Sequence, residues 1–252
     1  MQINDYDPIA DLYDIYVPVT EDIDFFVKEA RKSKGEVLEL MSGSGRVSIP
    51  LAQAGVKLTC VDRSASLNLI LEDKLNQLGL SAQVIQMDVC KLDLPRQFEL
   101  IIIPFNSFAH ITSPMDQYEA LHRIRRHLAP GGTFICTLGN PYVHQQDVNG
   151  HLRLLREYPL PQTGGTLLLW TLEQSLVDDP QIVKALQFYE EYDAEGVLQS
   201  KRVIELNFRL TYLDEFERLA TAAGYKLKAF YGDYTYGSFT GDSPQMIWLL
   251  QI

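Results

Sequence analysis

Glu39-Leu40-Met41-Ser42-Gly43-Ser44-Gly45 follows the apolar Val37-Leu38 and leads into Val47 to Ala54, a helical segment that stops at Gly55. A strand that turns sharply into a helix needs glycine where backbone must come close to a ligand. Gly43 and Gly45 meet that need, and the amino end of the helix points free N–H groups at the same place. About twenty residues on, Lys57 to Val61 reads as a second strand ending at Asp62, whose carboxylate can grip both hydroxyls of a ribose. Ser48 even stands where a third glycine would be. By themselves these residues are the general fingerprint of a nucleotide-like ligand held at a helix amino terminus.

Working outward, strands and helices alternate. Glu21 to Arg31 is an amphipathic helix; Ser64 to Leu78 is another, with Gly79 as its C-cap. Gln83 to Met87 is the third strand and Phe98 to Phe105 the fourth. The run Leu100-Ile101-Ile102-Ile103 is continuously apolar, as a parallel strand covered on both faces must be. Met115 to Leu128 is a helix closed by the turn Pro130-Gly131-Gly132, and Thr133 to Leu138 is the fifth strand. This alternation predicts an α/β fold with a doubly wound, mostly parallel sheet, whose ligands bind at the carboxyl ends of the strands. From His151 to Leu210 the style changes to long strands rich in Leu, Val, Thr and Tyr. Gly164-Gly165, Asp178-Asp179-Pro180 and Glu195-Gly196 punctuate them, which predicts antiparallel hairpins. Thr211-Tyr212-Leu213-Asp214 then resembles a capping box, its helix runs to Ala223, and Lys226 to Tyr231 with Met246 to Leu250 form a closing antiparallel pair. The expected organisation is a leader and helix over 1–34, a core over 35–140 and 211–252, and a β-rich insertion over 141–210.

The net charge is −11, with 46% hydrophobic and 22% charged residues. The densest basic cluster, Arg123, Arg125 and Arg126 with His122 and His127, falls late in a helix, where it complements the helix dipole. Without a basic stripe, nucleic acid is disfavoured as a partner. No apolar run approaches the roughly 20 residues that cross a bilayer, and Met1 to Asp14 carries aspartates where a signal peptide would carry lysines. The expectation is a cytoplasmic protein without a membrane partner, monomeric or homodimeric. Cys60, Cys90 and Cys136 are widely spaced, and no His/Cys cluster has metal-binding spacing, so no metal is expected.

Three features narrow the ligand. Glu39 lies on the first strand, where a buried carboxylate calls for a cationic or hydrogen-bonding partner such as the α-amino group of a methionine moiety. Met87-Asp88-Val89 ends the third strand, where an acid can accept the exocyclic amine of adenine. Pro104-Phe105-Asn106-Ser107 closes the fourth strand. With these in place the chain resembles a class I S-adenosylmethionine-dependent methyltransferase. Glu39 to Gly45 resembles its glycine-rich first motif, Val61-Asp62 the ribose-binding acid, and Met87-Asp88-Val89 the adenine-binding segment. Phe98-Glu99-Leu100-Ile101-Ile102 with Pro104-Phe105-Asn106 resembles the fourth motif, and Leu128 to Gly132 the turn before the fifth strand. The resemblance covers about residues 35 to 140. It implies a seven-stranded sheet with an antiparallel last strand, S-adenosylmethionine as cofactor, and an acceptor-binding lid outside the core. Tyr6 to Asp14 resembles the leader of small-molecule members, in which a tyrosine folds over the cofactor, and the insertion is similar to that of glycine, sarcosine and aminosugar N-methyltransferases.

The cofactor set expected on this basis is Tyr13, Glu39, Leu40, Met41, Gly43, Gly45, Arg46, Asp62, Arg63, Met87, Asp88, Val89, Pro104 and Phe105. Asp88 also suits a turn cap. His110 is a candidate base, with a pKa suited to an amine or hydroxyl acceptor, and Asn106 is its neighbour at the transfer site. Methyl transfer chiefly needs a desolvated, in-line approach, so a base is optional for an amine that is already neutral. Tyr16, His144, Arg209, Tyr231 and Tyr234 are candidate acceptor contacts, the last two as part of an aromatic wall with Tyr236 and Phe239. The expected reaction is methylation of an amine or hydroxyl of a small polar metabolite. The rivals are a nicotinamide-dependent oxidoreductase, for which no Tyr-x-x-x-Lys pattern follows the fourth strand, and a non-catalytic S-adenosylmethionine-binding regulator.

Overall fold

The computed structural model describes residues 4–252, so residues 1–3 of the expected leader lie outside the described residues. After a short 3-10 turn (Asp7–Leu12) come α1 (Tyr13–Tyr16) and α2 (Ile23–Lys32). The core then runs β1 (Val37–Leu40), α3 (Ser48–Gln53), β2 (Leu58–Asp62), α4 (Ala65–Leu78), β3 (Gln83–Gln86), β4 (Phe98–Ile103), α5 (Pro114–Arg126) and β5 (Leu128–Gly139). Beyond α6 (Pro141–His144) lie β6 (Leu152–Leu160), β7 (Gly165–Ser175), β8 (Ile182–Tyr192) and β9 (Leu198–Arg209). The chain closes with α7 (Leu213–Ala222), β10 (Lys226–Tyr231) and β11 (Gln245–Gln251).

Seven strands form one sheet in the order β10-β11-β5-β4-β1-β2-β3. β1 to β5 are mutually parallel, and β11 runs antiparallel to both β5 and β10. Strand alternation divides the core. Leu38, Leu40, Ile101 and Ile103 face α5 and α7, while Val37, Cys60, Leu100 and Ile102 face α2, α3 and α4. Each such side chain, fully buried, contributes roughly 1.5–3 kcal/mol. The order reverses at β1, which lies between β2 and β4, so the loops leaving β1 and β4 open a crevice at their carboxyl ends. Ser64 Oγ accepts the Leu67 N–H to start α4, and Gly79, at φ +64°, ends it.

Two expected local features take other forms. Pro130-Gly131-Gly132 is not a turn ahead of the strand. Leu128 already pairs with Phe98, and the register jumps to Leu100 opposite Thr133, so these residues, with Ala129 before them, form a bulge within β5. Thr211 makes no capping box either. It is buried, its hydroxyl accepts from Gln117 Nε2 at 3.3 Å, and Asp214 turns to Arg218 instead.

β6 to β9 form a second, wholly antiparallel sheet in sequence order. Its inner face, Leu167, Leu169, Ala185, Tyr189, Ile204 and Leu206, packs on Ile9 and Leu12 of the leader. No helix among the described residues is long and apolar enough to cross a membrane.

Candidate active site

The loop after β1 turns through left-handed backbone at Met41 (φ +57°), Gly43 (φ +57°) and Gly45 (φ +89°). The two glycines do different things. A Cβ on Gly43 would lie 3.7 Å from the Tyr13 ring, which covers the loop, and its N–H donates to Asp62 Oδ2 at 2.8 Å. A Cβ on Gly45 would meet Leu71 Cδ1 at 2.3 Å, so Gly45 serves the packing of α4 against the loop. Asp62 also accepts the Ser64 N–H on Oδ1 at 2.8 Å. Both carboxylate oxygens are thereby aimed, and each keeps a lone pair for a ribose hydroxyl. Burial raises the Asp62 pKa, and the backbone N–H groups oppose that rise.

Glu39 is 1% exposed and lies beneath the loop. The Ser48 hydroxyl donates to its Oε2 at 2.6 Å, and burial pushes its pKa up to about 8. Within the protein its partner is therefore a hydroxyl, with the Arg46 charge acting through space.

These loops border a cavity of about 510 Å³, within the range of small-molecule sites. Tyr13, Tyr16, Met41, Gly43, Asp62, Arg63, Met87, Asp88, Val89, Phe105 and His110, all expected at the site, line it. Asp88 Oδ1 accepts the Cys90 N–H at 2.9 Å, so this residue both caps a turn and lies on the wall. Arg63 reaches the Asn4 carbonyl. A tyrosine-rich wall with aimed carboxylates suits a ribose and a sulfonium cation.

At the end of β4, Phe105 (φ +58°) and Asn106 (φ +59°) are consecutive left-handed residues. Such a conformation costs a non-glycine residue roughly 1–2 kcal/mol, and strain of this kind clusters at functional sites. It delivers the chain to Ser107–His110, a 3-10 turn. His110 Nδ1 lies 3.2 Å from the Asn207 carbonyl, which can only accept, so Nδ1 carries the proton. Its Nε2 therefore accepts from the Tyr6 hydroxyl, 3.1 Å away. Burial lowers the His110 pKa and keeps the ring neutral.

Several expected contacts lie elsewhere. Arg46 grips both oxygens of Asp22 (2.5 and 2.7 Å) and the Val19 carbonyl, with its guanidinium 4.7 Å from the centre of the Phe105 ring. It is a strut between leader and loop. Leu40 and Pro104 are buried at their strand ends. The Asn106 side chain stays off the cavity wall; its Oδ1 is buried without a partner, and its backbone N–H donates to Thr137 Oγ1 at 3.2 Å. His144 stacks edge-on with Phe208. Arg209 is consumed by Asp179, Glu215 and Gln181. The aromatic wall forms in part and away from the cavity. Tyr234 and Tyr236 pack on Phe25, Tyr231 packs on Tyr236, and Phe239 lies in the other layer against Phe230; none of the four lines the cavity.

Sequence reasoning missed Tyr6 as a partner of His110. It expected an acceptor-binding insertion but named none of the insertion residues that line the wall, among them Arg156, Tyr158, Leu169 and Gln187. Period-two alternation could have marked Leu169 and Gln187, which lie on the inner face of their strands.

Residues 37–132 match the family described as "Methyltransferase domain". The cypemycin N-terminal methyltransferase of Streptomyces sp is 25% identical over 215 residues, covering 85% of this chain and 82% of that protein. Among solved structures, an S-adenosylmethionine-dependent methyltransferase from Clostridium acetobutylicum ATCC 824 superposes with a TM-score of 0.83 at 18% identity, covering 98% of each chain. The sugar N-methyltransferase KedS8 from Streptoalloteichus sp ATCC 53650 gives 0.74 at 17% identity, over 96% of this chain and 92% of that one. Residues 37–132 of this chain thus match a methyltransferase domain, and the chain as a whole has the fold of the S-adenosylmethionine-dependent methyltransferase structures it superposes on.

Proposed function

We propose that the protein transfers a methyl group from S-adenosylmethionine to an amine or hydroxyl of a small polar metabolite. Bound S-adenosylmethionine supplies an electrophilic methyl on a sulfonium. Gly43 and Asp62 would hold its ribose end, Met87, Asp88 and Val89 its adenine, and Glu39, Tyr13 and Met41 its amino-acid end. The observation that carries the reading is the His110–Tyr6 pair on the same cavity wall as these groups, Glu39 apart, which lies buried beneath the loop. The neutral His110 holds the Tyr6 proton on Nε2, so the Tyr6 oxygen offers lone pairs to an acceptor N–H or O–H. As the acceptor becomes positive on methylation, its proton has a path through Tyr6 to His110. The cavity's continuation onto the insertion sheet favours catalysis over mere ligand sensing. The relative named for N-terminal methylation supports an amine acceptor. The three free cysteines accord with the reducing cytoplasm, where we place the protein as a monomer or homodimer.

Calorimetric titration with S-adenosylmethionine, S-adenosylhomocysteine and NAD tests the cofactor. The first two are expected to bind, with at least tenfold loss in Asp62→Ala. Binding of NAD alone would sink the reading in favour of an oxidoreductase.

A further inference from the structure

The polar groups around the cavity are unevenly distributed. Asp62, Asp88 and Asp116 line its core side, where Arg63 is the one cation among the described residues and is turned to the Asn4 carbonyl, whereas the insertion side presents Arg156, Tyr158 and Gln187 among leucines. Arg156 is there because of a break in β6. Leu154 pairs with Trp170, on the outer face of the sheet. The register then shifts, and Arg156 pairs with Leu169, which is buried on the inner face. In an unbroken strand Arg156 would share the outward face of Leu154, and Glu157 would point inward. The bulge exchanges the two and puts a cation, in place of an anion, against the cavity.

No carboxylate of the described residues forms an ion pair with that cation, whereas Arg153 on the same strand is paired with Asp147 and Glu173. Glu21 lies close enough to sense Arg156 through space, but its carboxylate is bonded to the Thr20 N–H. Gln187 adds to the pattern. Its Oε1 accepts the Tyr189 hydroxyl at 2.7 Å, which leaves its amide hydrogens as the unused group. The Tyr158 hydroxyl proton is spent on the Tyr16 carbonyl at 3.0 Å. The insertion end of the cavity therefore offers hydrogen-bond donors and one positive charge, in a chain of net charge −11.

We propose that the acceptor carries an anionic group, a carboxylate or a phosphate, which Arg156 receives with help from the Gln187 amide. This rests on the methyltransferase reading and adds the acceptor's class. A planar guanidinium pairs with either anion through two parallel N–H bonds, so Arg156 orients the acceptor as well as attracting it. The nucleophile would then point away from Arg156, toward His110 and Tyr6.

The test titrates inorganic phosphate, and separately malonate, by calorimetry at low salt into the full chain saturated with S-adenosylhomocysteine. Wild type, Arg156→Gln and Arg156→Lys are compared, with thermal melting as a check on folding. One of the two anions should bind in the millimolar range, at least tenfold more weakly in Arg156→Gln and with partial recovery in Arg156→Lys. Affinity for S-adenosylhomocysteine should stay unchanged in all three. The anion that binds identifies the group. Absence of binding by both anions, or equal binding by Arg156→Gln, overturns the proposal. Failure of S-adenosylhomocysteine itself to bind is a separate result that strikes the methyltransferase reading, and the same titrations on the cofactor-free chain would still decide the role of Arg156.

Discussion

Glu39 occupies a strand position whose neighbours in register are Cys60 and Ile102, so an acid stands where the sheet otherwise places apolar side chains. The consequence is a proton. In the unfolded chain this carboxyl titrates near 4.5, and in the folded one burial moves it to about 8. As pH rises from 4.5 to 8 the unfolded state gives up the proton while the folded state keeps it. Stability therefore falls through this window and levels off above 8, by roughly 1.4 kcal/mol per pH unit at the steepest. Urea unfolding at pH 5 and pH 8 should show wild type losing ground to Glu39→Gln by about 2 kcal/mol or more; parallel curves would refute the assignment. The importance of Glu39 was legible from its place before the glycines, because a charge on a buried strand demands a reason. The division of labour between Gly43 and Gly45 was not legible. Gly43 is set by its left-handed backbone, with the Tyr13 ring of the leader in ordinary contact above it, and Gly45 by Leu71 in α4; both contacts join segments distant in sequence.

Elements were readable where hydrophobic period alone decides them. Leu100 to Ile103 could only be an interior parallel strand, and the glycine turns at Gly164 (φ +70°) and Gly196 (φ +81°) sit where the hairpins were expected. Misreadings arose where a tertiary partner outbid a local one, as when Gln117 took the Thr211 hydroxyl that a helix cap would have used. The bulge in β6 is of the same kind, since a register shift leaves no mark in a period-two pattern until the partner strand is known. Arg209 shows what such partners can do for an element. From the end of β9 it reaches Asp179 (2.8 Å) in the β7–β8 turn and Glu215 (3.1 Å) in α7, so it fastens the insertion to the core. Its removal leaves the partly exposed carboxylates of Asp179 and Glu215 without their cation. Arg209→Met should cost about 1–2 kcal/mol in chemical unfolding, since solvent reaches both acids. Because Arg209 does not line the cavity, affinity for S-adenosylhomocysteine should stay within twofold of wild type. A large loss of affinity with little loss of stability would instead restore it as a ligand contact.

At the scale of the whole molecule, two sheets share one cavity, and the leader joins them. Asn4 bonds to Glu205 and Asn207 in β9, and Asp11 pairs with Arg202 of the same strand. On the core side Asp14 bonds to Ser44 and Lys74, and Asp22 to Arg46. Between these anchors the rings of Tyr6, Tyr13, Tyr16 and Tyr189 follow one another edge to face at 5.0–5.8 Å, crossing from the His110 side to the insertion. That chain of rings roofs one side of the cavity, which is open beside Leu155 and Arg156, so the hold on a ligand depends on how firmly the anchors fix the leader. The core-side strut is the more local, because Arg46 holds Asp22, Val19 and the face of Phe105 at once. Removing Arg46 alone would strand the buried Asp22 carboxylate, so the informative variant is the double Asp22→Asn, Arg46→Met. Hydrogen exchange in residues 5–22 should speed up by at least tenfold in this variant, while exchange in β4 and β5 stays as in wild type. Affinity for S-adenosylmethionine should fall fivefold or more with faster dissociation, since the loosened leader must be ordered again at each binding event. Unchanged exchange in the leader would mean that its hold on the insertion sheet, through Arg202 and Asn4, is what keeps the leader in place.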